Sequence, residues 1–194
     1  MGVKLSENLK WGSHIEEITS KAYRNLHFVM RNLRRSGREV KGRAYKTLVR
    51  PVVEYATSVW DPHETGLCKK TEGIQRKAAR YVFGKHRNDE SVSKMIDQLG
   101  WESLQYRRKN FRLTGIYNTW NRKDGWDELR HRFQTPTYIG RGDHLLKIKE
   151  REQKTDLAKF SFLNRGIREW NALPEEVLIP MPKNSRKFRT KLNK

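Results

Sequence analysis

The sequence predicts a mainly α-helical protein. Its clearest segment spaces apolar residues as one face of a helix does, at Ile15, Ile18, Ala22, Leu26, Val29 and Leu33. Two further segments, within residues 40–59 and 67–82, repeat apolar residues at helical spacing. The chain also contains six Trp, seven Tyr and seven Phe, so we expect a packed core and not a disordered basic tail.

The first helix is expected to begin at a capping box, Ser13-x-x-Glu16, and to end at Gly37. Residues 1–11, which precede it, are expected to form the end of a strand or hairpin. The face of this helix opposite the apolar one is mostly basic and carries Glu17, Lys21, Arg24, Arg31 and Arg35. One face is therefore predicted to pack while the other meets solvent.

Proline marks the next two helical segments. Pro51 lies inside the pattern from Val40 to Val59, so we expect either a kink or two helices that meet at Arg50. The third segment is predicted to begin at Asp61-Pro62, with aspartate as the N-cap and proline at the first helical position.

The rest of the chain is predicted from its breaks. Residues 84–88 interrupt the pattern, a helix follows through residues 92–99, Gly100 stops it, and a further helix covers residues 101–120. We expect four regions: the strand or hairpin end (1–11), a helical bundle (12–120), a loop region rich in Gly, Pro and charge (121–145), and a smaller basic α-rich region (146–194). In the last region we expect a short strand at residues 145–148, a helix at about 157–171 and a basic segment from Ser185.

The charge of the chain indicates a polyanionic partner. There are 42 Lys and Arg against 22 Asp and Glu, for a net charge of +20. Such an excess favours nucleic acid, with an anionic membrane as the less favoured partner. The basic residues form four groups: Arg31, Arg34 and Arg35; Lys69, Arg76 and Arg80; Arg107, Arg108 and Lys109; and Lys183, Arg186, Lys187, Arg189 and Lys191. Phe28, Tyr81 and Phe111 are candidates for stacking on bases, although a place in the core is the stronger expectation for each.

Several segments, in this order, resemble the C-terminal part of reverse transcriptases from LINE-type (non-LTR) retrotransposons. They are GVKLSENLKWGSHIEEITSKA, YKTLVRPVVEYATSVWDP, QRKAAR at residues 75–80, LGWESLQYRRKNFRL, and FLNRGIREWNALPEEV followed by Phe188 and Leu192. The resemblance covers essentially the whole chain. Gly73 departs from it, because an apolar residue is expected at that position.

The resemblance implies that the helices form a thumb, which closes over the template–primer duplex behind the polymerase site. The family's catalytic Asp-Asp pair would lie upstream of Gly2, and no aromatic-x-Asp-Asp motif occurs in this sequence. Met1 stands where the family usually has leucine, so we expect a fragment of a longer polymerase. This chain is then not an enzyme on its own and has no cofactor or metal ligands, whereas the full-length family enzyme would use Mg²⁺.

The role implied by the resemblance is to hold template–primer nucleic acid through its phosphates, with the missing polymerase core as a second partner. The residues expected to make these contacts are Arg31, Arg35, Lys69, Arg76, Arg80, Arg107 and Arg108. An intracellular location, nuclear or cytoplasmic, is expected. Two other interpretations stay open: a stand-alone helical protein-interaction module, and a basic peripheral membrane protein myristoylated at Gly2, because MGVKLS fits the acylation pattern.

Overall fold

A computed structural model describes residues 2–84, 91–121 and 127–193. The protein is mainly helical, with 63% helix and no strand in the described residues, which confirms the predicted fold class. The chain forms two compact units, Met1–Arg108 and Lys109–Lys194. The division therefore falls inside a helix, whereas the sequence led us to expect it in the loop region at 121–145.

The described residues of the first unit form five α-helices and the start of a sixth. They are α1 (Gly12–Asn32), α2 (Arg38–Ala44), α3 (Thr57–Trp60), α4 (Thr65–Phe83), α5 (Val92–Gln98) and the beginning of α6 (Leu104–Trp120). The second unit contains the rest of α6, a 3₁₀ helix (Asp127–Arg132), α7 (Asp156–Lys159), α8 (Phe162–Asn171), α9 (Glu175–Leu178) and α10 (Ser185–Leu192). The helix expected at 157–171 is thus two helices, α7 and α8.

The apolar face of α1 is confirmed, but its predicted cap is wrong. Ile15, Ala22 and Leu26 are fully buried. The helix begins at Gly12 after Trp11, with no side-chain cap, and the hydroxyl of Ser13 is buried without a hydrogen bond. A serine one residue inside the helix has helical backbone angles and cannot take the extended conformation that a capping box needs.

The break predicted at Arg50 is confirmed. After α2 the chain forms a π-helix (Tyr45–Val49) and then a 3₁₀ helix (Arg50–Val53) that has proline in its first turn. A proline lacks an N–H and clashes with the preceding turn, so a regular α-helix cannot continue through Pro51. Tyr45 and Val49 of this segment are fully buried.

The start predicted for α4 at Asp61-Pro62 is wrong, since the helix begins at Thr65 after Glu64. Its end is as expected: Gly84 has φ +68° and caps the helix through its N–H. Residues 85–88 of the predicted break lie outside the described residues. The stop at Gly100 is also confirmed, with φ +59°, and α6 begins at Leu104, three residues later than predicted.

In the core of the first unit, a pair of stacked rings is joined to α4 by hydrogen bonds. The Tyr45 ring stacks on Trp101 with centroids 4.5 Å apart, and its hydroxyl donates to Gln75 Oε1 at 3.0 Å. Gln75 in turn donates to the Glu102 carbonyl at 2.9 Å. This chain connects the π-helix, α4 and the segment before α6, and burial raises the pKa of Tyr45 well above its usual range.

The two strands that the sequence led us to expect are absent from the described residues. Residues 6–9 form a turn with Leu9 at φ +54°. At 145–148 the amide of Asn171 replaces a partner strand: its Oδ1 accepts from the Ile148 N–H at 2.9 Å, and its Nδ2 donates to the Ile148 carbonyl at 2.8 Å. Ile148 is buried and its backbone satisfied without a sheet.

The second unit has a core of stacked rings. Tyr117 and Phe188 stack with centroids 4.6 Å apart, and Trp170 lies 5.9 Å from Phe188. The Tyr117 hydroxyl donates to the Pro182 carbonyl. The basic segment predicted from Ser185 is the helix α10, which Asn184 caps by accepting from the Lys187 N–H at 2.9 Å.

Candidate nucleic-acid interface

Helices α1 and α4 lie side by side and run in the same direction. Glu16 near the start of α1 pairs with Lys70 near the start of α4 at 2.9 Å. Towards the other end, the Tyr81 hydroxyl of α4 donates to the Val29 carbonyl of α1 at 3.2 Å. The solvent-facing residues of the two helices therefore form one surface of the first unit, which we call the α1–α4 face.

Gly73 allows the two helices to approach each other. A Cβ atom at this position would lie 3.1 Å from the Tyr23 hydroxyl oxygen. The helix is continuous through the glycine, so the departure from an apolar residue does not disturb α4. It makes room for the Tyr23 side chain instead.

The outer side of α1 is mostly basic, with Arg24, Phe28 and Arg31 exposed and Lys21 half-buried. Lys21, Arg24, Phe28 and Arg31 follow one another at three- and four-residue spacing, opposite the buried face. Phe28 is 55% exposed among these cations. Arg31, and Arg35 in the turn after the helix, are exposed and form no ion pair with a carboxylate in the part of the chain described.

The outer residues of α4 form a second basic row. Lys69, Arg76 and Arg80 share one side of the helix with Gly73. Lys69 and Arg76 are exposed and are not paired with any described carboxylate, while Arg80 is half-buried. Five of the seven residues predicted to contact phosphate, Arg31, Arg35, Lys69, Arg76 and Arg80, are thus on or next to the α1–α4 face.

Between the two rows, an ion pair lies near the N-terminal ends of the helices, where Lys70 compensates the charge of Glu16. Lys70 holds the pKa of Glu16 below its usual value, mainly through a hydrogen bond. Further along, Lys77 contacts the His27 ring at 2.7 Å and lies 5.3 Å from the centre of the Tyr23 ring. The half of the face towards the C-terminal ends of both helices therefore keeps its positive charge.

The other two predicted residues are engaged inside the unit. Arg107 donates to both carboxylate oxygens of Glu54, one of them at 3.2 Å, and its Nη1 lies 3.5 Å from Glu102. Arg108 is only 2% exposed and pairs with Asp61 at 2.7 Å. The hydrogen bond to Glu54 is the main reason why the pKa of Arg107 is raised. The structure thus does not present Arg108 for the phosphate contact that the sequence led us to expect, and it places Asp61 as an ion-pair partner and not as a helix cap.

The aromatic candidates differ in exposure. Tyr81 is buried in the core of the first unit, as expected of an aromatic. Phe111 is 48% exposed and meets Phe162 edge to face in the second unit. Phe28 is therefore the aromatic that stands beside exposed cations on the α1–α4 face.

In the second unit, part of the basic terminal segment serves the fold. Lys191 donates to the Glu176 and Pro180 carbonyls, and Arg189 donates to the Thr114 hydroxyl at 3.1 Å. Arg186 and Lys187 are exposed. A second cluster of cations lines a cavity in this unit and had no signal in the sequence, because its members come from four elements that only folding brings together.

In comparisons with known proteins, no family model, curated protein or solved structure matches this chain. Among the described helices, none has both the length and the apolar character needed to cross a membrane. Nor do the described residues bring together three His, Cys, Asp or Glu side chains as a metal site would require.

Proposed function

We propose that the chain binds template–primer nucleic acid through phosphate contacts on the α1–α4 face, as the thumb of a non-LTR reverse transcriptase does. The observation that carries this proposal is the pair of basic rows on α1 and α4. Their exposed members, Arg31, Arg35, Lys69 and Arg76, have no carboxylate partner among the described residues. Unpaired cations spaced along two neighbouring helices are suited to successive phosphates of one duplex.

The proposed contact is independent of base sequence. Arginine and lysine that meet phosphates position a duplex without reading it. Phe28, which is exposed on this face, is suited to stack on a base or sugar at an end or a frayed position of the duplex. The chain supplies no catalytic aspartate pair, so its part in polymerisation is to hold the substrate for a polymerase core.

Arg107 and Arg108 are not part of the proposed contact. Their carboxylate partners Glu54 and Asp61 already neutralise them. In the proposal they fix the first turn of α6 against the rest of the first unit.

The test is the salt dependence of binding to a mixed-sequence duplex, measured by fluorescence anisotropy for DNA and for an RNA–DNA hybrid. The variant is Arg31→Gln/Arg35→Gln/Arg76→Gln, and the control removes three other exposed cations, Lys10, Lys46 and Lys94. On DNA, the slope of log Kobs against log salt should shrink by roughly 0.9 for each phosphate that the first variant no longer neutralises. A flat salt response of the unaltered chain, or an equal reduction in both variants, would contradict the proposal.

A further inference from the structure

The second unit contains a cavity of about 230 Å³ whose wall is strongly basic. The lining cations come from the 3₁₀ helix, from the segment after residue 148, and from α7 and α8: Arg132, Lys149, Arg151, Lys159 and Arg168. Glu150 is the one carboxylate among the residues that line it.

The positive charge of the cavity is not neutralised by the fold. Three guanidinium groups donate to neutral oxygens: Arg132 to the Asn164 amide at 3.5 Å, Arg151 to the His131 carbonyl at 3.4 Å, and Arg168 to the Lys159 carbonyl at 2.6 Å. Neutral acceptors orient a cation without cancelling its charge. None of the five lining cations forms an ion pair with a carboxylate of the described residues.

Two other arginines of the same unit, by contrast, are paired with a carboxylate. Arg112 pairs with Glu169 through two hydrogen bonds, and Arg165 lies 3.6 Å from the same carboxylate. The positive charges of Arg112 and Arg165 are therefore compensated within the unit. Two cations of the cavity, Lys159 and Arg168, lie 5.5 and 5.6 Å from the centre of the Phe160 ring, which orients them without cancelling their charge. Their mutual repulsion is therefore not compensated by a carboxylate of the described residues.

The size and lining of the cavity favour a compact anion. A volume of about 230 Å³ is below the range of roughly 300–1,000 Å³ that is usual for pockets of drug-sized ligands. No aromatic side chain lines it, and Ile167 is its one apolar lining residue, so a nucleobase would find no ring to stack on. Several cations around a small volume match a ligand with several adjacent negative charges.

We propose that this cavity binds a compact anion with two or more adjacent phosphate groups. Guanidinium groups bind phosphate oxygens in pairs, and ammonium groups add further donors. The neutral oxygens that accept from the arginines hold these side chains in place without cancelling their charge. This lowers the cost of ordering the arginines when the ligand enters. The residues of this site belong to the second unit, whereas those of the α1–α4 face belong to the first.

The probe is tripolyphosphate, titrated into the full chain by calorimetry at fixed ionic strength. We expect one saturable site that Arg168→Gln weakens by at least about tenfold, as the loss of a charge-assisted hydrogen bond to phosphate implies. Arg151→Gln, at an exposed residue, should weaken it in the same direction and separates binding from folding. Glu150→Gln should tighten binding severalfold, because it removes the one negative charge from the lining.

The matched control is Arg186→Gln, an exposed cation of the same unit outside the cavity, which should change the affinity by less than about twofold. If it weakens tripolyphosphate as much as Arg168→Gln does, the attraction is general and the proposal is wrong. It is also wrong if Arg168→Gln weakens a short single-stranded oligonucleotide and leaves tripolyphosphate unchanged, since the cavity would then be part of a nucleic-acid surface. Duplex binding by the α1–α4 face should be unaffected by Arg168→Gln, so the two proposals can fail separately.

Discussion

The hydroxyl oxygen of Tyr23 lies 3.1 Å from the place where a Cβ atom at Gly73 would be. The glycine in the interior of α4 therefore makes room for a side chain of the neighbouring helix α1. Glycine costs about 1 kcal/mol relative to alanine in a helix, and the close approach of the two helices offsets that cost.

We expect the effect of Gly73→Ala to depend on Tyr23. In the unaltered chain the gain in helix propensity is opposed by crowding, so the free energy of unfolding should change little. In a Tyr23→Phe background, where the crowding atom is gone, Gly73→Ala should stabilise the protein by about 0.5–1 kcal/mol. Urea unfolding of the four proteins in this double-mutant cycle measures the difference, and equal effects in both backgrounds would show that the contact does not matter.

Glu169 is expected to be essential to the stability of the second unit. Its carboxylate pairs with Arg112, which is 2% exposed, at 2.9 and 2.5 Å. Glu169→Ala removes the carboxylate that accepts both hydrogen bonds from this buried cation and should lower the free energy of unfolding by about 3 kcal/mol. The exposed Glu152→Ala is the control and should cost less than about 0.5 kcal/mol.

A second measurement separates the buried charge from simple loss of packing. Replacing both partners, as in Arg112→Met/Glu169→Met, removes the buried charge together with the carboxylate and should recover much of the stability lost in Glu169→Ala. If the double variant is less stable than the single one, the buried charge of Arg112 is not the cause of the loss in Glu169→Ala.

Local sequence patterns predicted the features that depend on neighbouring residues. The buried face of α1, the break at Pro51 and the stops at Gly84 and Gly100 all follow from spacing or from backbone chemistry. The basic rows of α1 and α4 could be predicted for the same reason, since an exposed face is the complement of a buried one.

The features that the sequence did not predict depend on residues far apart in the chain. Asp61 looks like a helix cap until Arg108, 47 positions later, is found to be its partner. The expected strand at 145–148 is replaced by a contact with the Asn171 side chain, 23 positions away from Ile148. No local pattern distinguishes an arginine that meets phosphate from one that meets a carboxylate of its own chain.

Arg108 and Arg76 are therefore expected to behave differently when replaced. Arg108→Met removes the guanidinium that pairs with the largely buried Asp61 and should cost about 3 kcal/mol of stability. At a temperature where the variant is folded, its duplex affinity should keep the salt dependence of the unaltered chain.

Arg76→Gln should do the reverse. Its exposed side chain contributes less than about 0.5 kcal/mol to folding, but the salt slope of duplex DNA binding should shrink by roughly 0.9. Circular dichroism and anisotropy on the same samples measure both quantities. A reduced slope in Arg108→Met would return this residue to the nucleic-acid contact that the sequence predicted.

His14 is expected to make the stability of the first unit depend on pH. The ring is buried, its Nδ1 accepts from the Lys4 N–H at 3.2 Å, and the Trp60 ring lies 5.4 Å away. Burial lowers the pKa of His14 below its ordinary value of 6.5, although the charge of Glu17 acts in the opposite direction. The unfolded chain therefore binds a proton that the folded chain does not, so stability is fully present above pH 6.5 and falls as the pH drops below it.

The measurement is the free energy of unfolding in urea between pH 5 and pH 7.5. His14→Gln should flatten its dependence on pH, because glutamine can accept from the Lys4 N–H but does not titrate. His63→Gln, at an exposed histidine, shows what the same replacement does elsewhere in the first unit. A slope that is equally steep in His14→Gln and in the unaltered chain would mean that other groups cause the loss at low pH, and the burial of His14 would then have no part in it.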